Sequence, residues 1–319
     1  MLRKVPTDLE HSFAEHRPAI LRHCYRMLGS FAEAEELTQD TFERAWKARE
    51  SFQGSAPIGH WLMRIATNGC LNALGQRKRR ALPNLEADPT TSHEFGPGEL
   101  ERWLTPAPDA LLFPQGENPA SPEQLAETRE SVALAFLELL QRLPAKQRAA
   151  LLLKDVVGWS AEEIATTLEL SVSAVNSALH RARDATQRET AASEAPSAAT
   201  VAAFVRAWET RDVDGLVALL KHDVQLAMPP YPVWFSGRDA VMGFLHSARF
   251  APFWSSLSEV APTQGNGQSA FVFRLRDATG GSQRTHSVML VRFAAEQVKE
   301  MVTFVGETYF EPFCRRSAS

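Results

Sequence analysis

The chain has few cysteines: Cys24, Cys70 and Cys314 are its only 3 in 319 residues. No CxxC pair and no Cys/His cluster occurs, which argues against a zinc site and a disulfide framework. Buried free thiols in a reducing cytoplasm are expected. Long apolar runs are also missing. Stretches such as 149–153 fall far short of the ~20 residues of a membrane span, so no membrane partner is expected. The opening MLRKVPTDLEHSF lacks the apolar core of a secretory signal. Net charge is small, −4 from 34 basic and 38 acidic residues. With 44% hydrophobic and 23% charged residues, the composition excludes a wholly disordered or collagen-like chain. At ~100–200 residues per domain, the length suggests two or three domains.

The small net charge hides segregation. Arg77, Lys78, Arg79 and Arg80 form one basic cluster, whereas residues 86–127 carry nine acids against the single Arg102. A local basic surface suffices for nucleic acid, whatever the total. Residues 1–80 form a first, helical domain. Residues 81–128, rich in Pro, Gly, Ser and acids, read as a linker. Residues 129–190 are helical again, and AASEAPSAAT at 191–200 is a hinge. Beyond it, in the domain 197–319, two helical segments (201–209 and 213–220) precede alternating patterns at 269–276 and 287–293. Those patterns are broken by turns at 265–267 and 280–281. This predicts an α+β domain with an antiparallel sheet.

In the first block, SFAE at 30–33 marks a helix start. Ala34, Leu37, Thr41, Ala45 and Ala48 follow helical spacing, and Glu36, Gln39, Asp40, Glu43 and Lys47 take the opposite face. A second helix is predicted from about Pro57 to Arg80, with Leu62, Ile65, Ala66, Gly69, Cys70 and Ala73 inward. On it His60, Arg64, Asn68, Asn72 and Gln76 recur every four residues, a row that winds slowly along one face. Amides both donate and accept, and Arg neutralises phosphate, so the row suits bases and the 77–80 cluster suits phosphates.

In the second block Pro144 opens a helix. SAEE at 160–163 is a capping-box pattern, followed by a short helix with Ile164 and Leu168 inward. After the tight turn Glu169-Leu170, Ser171 caps a last helix predicted to bury Val172, Val175, Leu179 and Ala182. Ser173, Asn176, Ser177, His180, Arg181 and Arg183 face outward. Two capped helices joined by so short a turn are a helix-turn-helix pattern, with a polar N-terminal half suited to base edges.

Together these motifs are identifiable. EELTQDTF at 35–42, AW at 45–46, FQG at 52–54 and WLMRIATN at 61–68 resemble region 2 of bacterial sigma-70 factors of the extracytoplasmic-function (ECF) group. LP at 143–144, QR at 147–148, SAEEIA at 160–165 and VNSALHRAR at 175–183 resemble region 4. The resemblance implies a non-catalytic factor that binds core RNA polymerase through its β′ clamp and β flap, and that binds promoter DNA. It places Glu36, Gln39, Asp40 and Glu43 on the clamp. It places Phe52, Trp61, Arg64, Asn68, Asn72, Arg77, Lys78, Arg79 and Arg80 at the −10 element. Ser171, Ser173, Asn176, Ser177, His180, Arg181 and Arg183 would sit at the −35 element, the last two on phosphates. The linker would thread toward the polymerase active-site channel. Where many ECF factors carry Lys and Arg, Asn176 and Ala178 stand here.

The third domain resembles the SnoaL-like branch of the nuclear transport factor 2-like fold through VAAF at 201–204, Trp208, DVDGL at 212–216, MPP at 228–230 and GRDAV at 237–241. WLTPAPDALL at 103–112 resembles a linker motif of ECF factors carrying such an extension. The expected fold class is thus two all-α domains followed by a cone-shaped α+β domain. SnoaL-like relatives include enzymes with an acid/base Asp or His in the cone, which makes Asp223, Asp239 and His286 candidates. The aromatic residues there are expected to fill a core, and a regulatory domain, able to hold a small unknown ligand, is expected over an enzyme. No cofactor or metal is expected. The rival readings are a helix-turn-helix regulator independent of polymerase and an enzyme tethered to DNA-binding helices.

Overall fold

The computed structural model describes residues 9–52, 54, 56–75, 79–83, 88–91, 96–114, 122–186, 195–277 and 282–315. Two compact units form: residues 1–79 with 111–190, and residues 80–110 with 191–319. The segment expected as a linker is thus shared between the two. Among the described residues no helix is long and apolar enough to cross a membrane.

The helical unit begins with α1 (Leu9–Leu28), α2 (Phe31–Lys47) and α3 (Ile58–Leu74). Gly29 at φ 68° ends α1, its N–H reaching Tyr25 O at 2.8 Å. Ser30 then caps α2, its Oγ accepting from Glu33 N. Leu21, Tyr25, Phe31, Ala34, Leu62, Ala66 and Cys70 form the shared core, each at most 1% exposed. Every large apolar side chain among them contributes roughly 1.5–3 kcal/mol. Helix α3 stops at Leu74, short of the predicted Arg80. Its inner stripe is also shifted: Met63 and Thr67 are buried, while Ile65 and Ala73 are half-buried. Thr67 bonds buried His23 at 3.0 Å, an internal polar pair that apolar periodicity does not register.

A one-turn helix, α4 (Asp109–Leu112), spans the boundary in sequence. Then follow α5 (Pro122–Glu130), α6 (Leu134–Arg142), α7 (Ala145–Leu151) continued by a π-turn at Leu152–Val156, α8 (Ala161–Leu168) and α9 (Val172–Thr186). Arg148 of α7 ties this half to α1. Buried at 4% exposure, it donates through Nη1 to Met27 O and to Gln141 Oε1 (2.6 Å), and through Nη2 to Gln141 O and Leu143 O (both 3.2 Å). Gln141 Nε2 donates in turn to Arg26 O at 3.2 Å. Carbonyls at helix ends have no intrahelical donor, so two side chains cap the C-termini of α1 and α6.

The second unit contains α10 (Ala198–Glu209), α11 (Val213–Ala218), α12 (Arg238–Leu245), α13 (Ala251–Ser256), α14 (Glu307–Cys314) and one six-stranded sheet. Its strands are β1 (Leu220–Ala227), β2 (Trp234–Ser236), β3 (Leu257–Gly265), β4 (Gln268–Arg276), β5 (Gln283–Ala294) and β6 (Gln297–Val305), in the order β2-β1-β6-β5-β4-β3. The expected antiparallel sheet is in fact mixed, because β1 pairs parallel with β6. After β2 the chain crosses through α12 and α13 to the far edge, meanders back, and lays its last strand beside its first. Asn266-Gly267, both at positive φ, make the two-residue β3–β4 turn. Phe204, Trp208, Phe271, Phe273 and Phe293 fill the concave face.

Candidate nucleic-acid interface

Helix α2 buries Ala34, Thr38, Thr41 and Ala45 on one side. Glu36, Gln39, Asp40 and Glu43 are all exposed on the other. Three carboxylates and an amide there form an acidic strip. Asp40 also pairs with Arg44 at 3.2 Å, an exposed contact of small energetic value.

Helix α3 carries the polar row. Arg64, Asn68 and Asn72 are exposed, whereas the helix's other side is buried. At the row's start His60 is occupied: its Nδ1 lies 3.2 Å from Glu163 Oε1, and its ring lies over Trp159 at 5.0 Å. Phe52 and Trp61 pack with ring centroids 5.0 Å apart at a 45° tilt, so Phe52 is held against α3. Arg77 and Lys78 lie outside the described residues, as does Gln76. Arg79 is exposed. Arg80 departs from the expectation. It is only 9% exposed and belongs to the other unit, near Tyr309, because α3 has already ended and the chain has changed units.

The helix-turn-helix is α8–α9. Ser160 and Glu163 complete a reciprocal capping box, Glu163 N donating to Ser160 Oγ (3.2 Å) and Ser160 N to Glu163 Oε2 (2.8 Å). The Ser160 N–H, followed by the Ser160 hydroxyl, holds the Glu163 carboxyl below its usual range. Glu169 at φ 54° makes the turn. Ser171 Oγ accepts from Ala174 N at 3.2 Å and starts α9. Val175, Leu179 and Ala182 are buried as expected, but Val172 is 37% exposed, since it sits in the first turn beyond the core. Ser171, Ser173, Asn176, Ser177, His180, Arg181 and Arg183 are all exposed. They are not equivalent. His180 Nδ1 meets Asp184 at 2.8 Å, and Arg183 makes a two-point pair with Asp155 (2.5 and 3.2 Å). Asn176, Ser177 and Arg181 present the outer face, and among the described residues no acid pairs with Arg181.

In the second unit, the three acid/base candidates do not converge. Asp223 and Asp239 are exposed, while His286 is part-buried in a cavity and bonds Ser287 Oγ at 3.1 Å through Nδ1. Burial, aided by Arg284, pushes His286 down to about 4. Among the described residues no His/Cys/Asp/Glu group could hold a metal. The described residues between 80 and 110 form a strap on the same unit. Trp103, 1% exposed, donates from Nε1 to Pro230 O at 2.8 Å. Ala107 and Asn266 exchange two bonds (2.9 and 3.0 Å), and Gly267 N donates to Asp109 Oδ1 at 2.9 Å.

Three families match along the chain: sigma-70 region 2 at residues 13–80, sigma-70 region 4 at 133–185, and the SnoaL-like domain at 201–301. Over 316 residues the chain is 39% identical to ECF RNA polymerase sigma factor SigG of Mycobacterium tuberculosis, spanning 93% of this chain and 81% of that one. The chain is an ECF sigma factor. The sigma factor SigW of Bacillus subtilis is 27% identical over 192 residues, 59% of this chain and 94% of its own. The crystal structure of the M. tuberculosis ECF sigma factor SigJ has the same fold, with a TM-score of 0.61 over 95% of this sigma factor and 98% of that chain, at 19% identity. The expected fold class therefore holds: helical regions 2 and 4, then a SnoaL-like domain with a mixed sheet. Pattern reading missed the strap in this sigma factor. Its signal was Trp103-Leu104, a large apolar pair inside an otherwise acidic, Pro-rich stretch.

Proposed function

We propose that this sigma factor docks on core RNA polymerase through the acidic strip of α2 and reads promoter DNA with α3 and α9. Glu36, Gln39, Asp40 and Glu43 meet the polymerase clamp. Phe52, Trp61, Arg64, Asn68, Asn72 and Arg79 face the −10 element, with Arg77 and Lys78 adding phosphate contacts. Asn176 and Ser177, with Ser171 and Ser173, meet −35 base edges. Arg181 takes phosphate, and His180 and Arg183 do so after leaving Asp184 and Asp155. The observation that carries this reading is the two-faced character of α2, α3 and α9. Each buries one side and exposes a row of polar side chains on the other, in a chain of the sigma family.

The SnoaL-like unit modulates initiation by holding the strap. A segment whose Trp103 is seated against Pro230 is restrained from entering a polymerase channel. The unit acts as a regulator and not as an enzyme, which the separation of Asp223 and Asp239 from His286 supports.

The test is binding of the full chain to core polymerase at two salt concentrations, followed by selection of promoters from a randomised pool. Asp40→Ala is expected to weaken core binding several-fold, most visibly at low salt. Asn176→Ala is expected to relax selection at one or two −35 positions, and Arg181→Ala to weaken all sequences alike. Unaltered core affinity in Asp40→Ala together with Glu36→Ala would refute the docking surface.

A further inference from the structure

The first turn of α9 holds an apolar side chain where its neighbours are polar. Val172 is 37% exposed, whereas Val175, Leu179 and Ala182, the apolar stripe of the same helix, are at most 5% exposed. Ser171, Ser173 and Asn176 stand beside it, all exposed. The two serine hydroxyls bond each other at 3.0 Å, and Ser171 Oγ also accepts from Ala174 N at 3.2 Å. Part of their hydrogen-bonding capacity is thus used within the turn. Val172 neither joins the core nor caps the helix. Among the described residues the other exposed large apolar side chains, Trp46, Leu100 and Val156, lie outside α8 and α9. Residues in the first turns of a recognition helix meet base edges in the major groove. Every base pair presents polar atoms there, and thymine alone adds a methyl group.

We infer that Val172 is a specificity-determining residue, packing against the 5-methyl group of a thymine in the −35 element. The inference deepens the proposed function and rests on its assignment of α9 to that element. Against the other bases, the valine side chain covers polar edge atoms and offers them no hydrogen bond, which is unfavourable. Valine is also β-branched, so in a helix its χ1 is confined largely to one rotamer. Its methyls are therefore held in place before DNA arrives. Asn176 lies four residues on, about 6 Å along the helix axis. Base pairs rise about 3.4 Å, so the thymine falls within about two base pairs of the base that Asn176 meets. The two contacts differ in kind: an amide reads hydrogen-bonding atoms, and the valine reads a methyl. Their losses can be measured separately.

The test uses the full-length chain bound to core polymerase and a promoter selected from the randomised pool. Each thymine of the −35 element, on either strand, is replaced in turn by deoxyuridine, which lacks only the methyl. At one position the replacement is expected to weaken binding about 4-fold, the worth of one buried methyl. Val172→Ala is expected to weaken binding of the thymine promoter by about the same factor, and to bind the thymine and deoxyuridine forms alike. Asn176→Ala is expected to bind both forms more weakly and to keep the ratio between them. A promoter scrambled throughout the −35 element separates the inference from the reading beneath it. If scrambling weakens binding but no deoxyuridine does, or if Val172→Ala still prefers thymine as the unaltered protein does, the inference is overturned and the −35 reading stands. If the scrambled promoter binds as well as the selected one, α9 does not read the −35 element and the inference falls with that reading.

Discussion

Replacing Arg148 by Met tests how the helical unit is held. The substitution keeps the length and apolar stem but removes the guanidinium, leaving four acceptor sites unmet: Met27 O, Gln141 Oε1, Gln141 O and Leu143 O. At roughly 1 kcal/mol per bond the loss is about 4 kcal/mol. Two corrections reduce it. The Gln141 side chain can turn away, and the buried cation is itself costly, as shown by burial pushing Arg148 down to about 10. A net loss of about 3 kcal/mol is expected. Urea unfolding of the full chain gives the magnitude. Hydrogen exchange gives the location: protection should fall at the end of α1 and in α6, but not in the SnoaL-like sheet. Arg148→Lys should recover less than half, because a point charge cannot fork to four carbonyls. A loss below about 1 kcal/mol, or full rescue by Lys, would refute the capping argument.

Two further outcomes are expected. Trp103→Ala removes a fully buried indole and its bond to Pro230 O, and should cost about 3–5 kcal/mol locally, read as rapid hydrogen exchange and protease cleavage across 96–110; continued protection there would contradict the strap. Burial, with Arg26 or Arg284 as a lesser cause, lowers His23 to about 3 and His286 to about 4. Their unfolded forms take up protons first, so stability falls as the pH drops below ~6.5, by about 2 kcal/mol per histidine between pH 7 and pH 5. His286→Gln should flatten that slope in the SnoaL-like unit; an unchanged slope would show that the ring protonates in place.

The helical periodicities were readable because α2, α8 and α9 bury one stripe each and carry their own caps. Ser30, Ser160 and Ser171 sit where the sequence places helix starts. What escaped reading is non-local. Nothing around residue 148 announces that its guanidinium closes two helices 121 and 7 residues away in sequence. The parallel β1–β6 pair was hidden likewise, since local alternation reports a strand but not its neighbour. Charge clustering misled at one position: Arg80 continues a basic run in sequence, yet the end of α3 sends it into another unit's interior. In the site, residue types were legible and occupancy was not. His180 and Arg183 look like Asn176 and Arg181 in a helical wheel, and only the structure shows that acids already hold the first two.

If the α3 row meets promoter DNA as proposed, its spacing bears on which form of DNA it would meet. Arg64, Asn68 and Asn72 lie four residues apart, so successive side chains are about 6 Å apart along the axis. Stacked bases rise only about 3.4 Å along each strand. Lying along a closed duplex, the row would fall on every second base and leave those between unread. An unstacked strand can spread its bases to the wider spacing and offer whole edges to amides. The Phe52–Trp61 pair at the helix's start adds aromatic faces on which a released base can stack, worth about 1–3 kcal/mol per base. The row is therefore better matched to a melted −10 strand than to duplex. Asn68→Ala should then slow formation of the open complex by the holoenzyme while leaving its affinity for closed duplex promoter nearly unchanged. Permanganate footprinting of unpaired thymines separates the two steps. If Asn68→Ala instead weakens duplex binding and opens DNA normally, the row reads paired bases and the spacing argument is wrong.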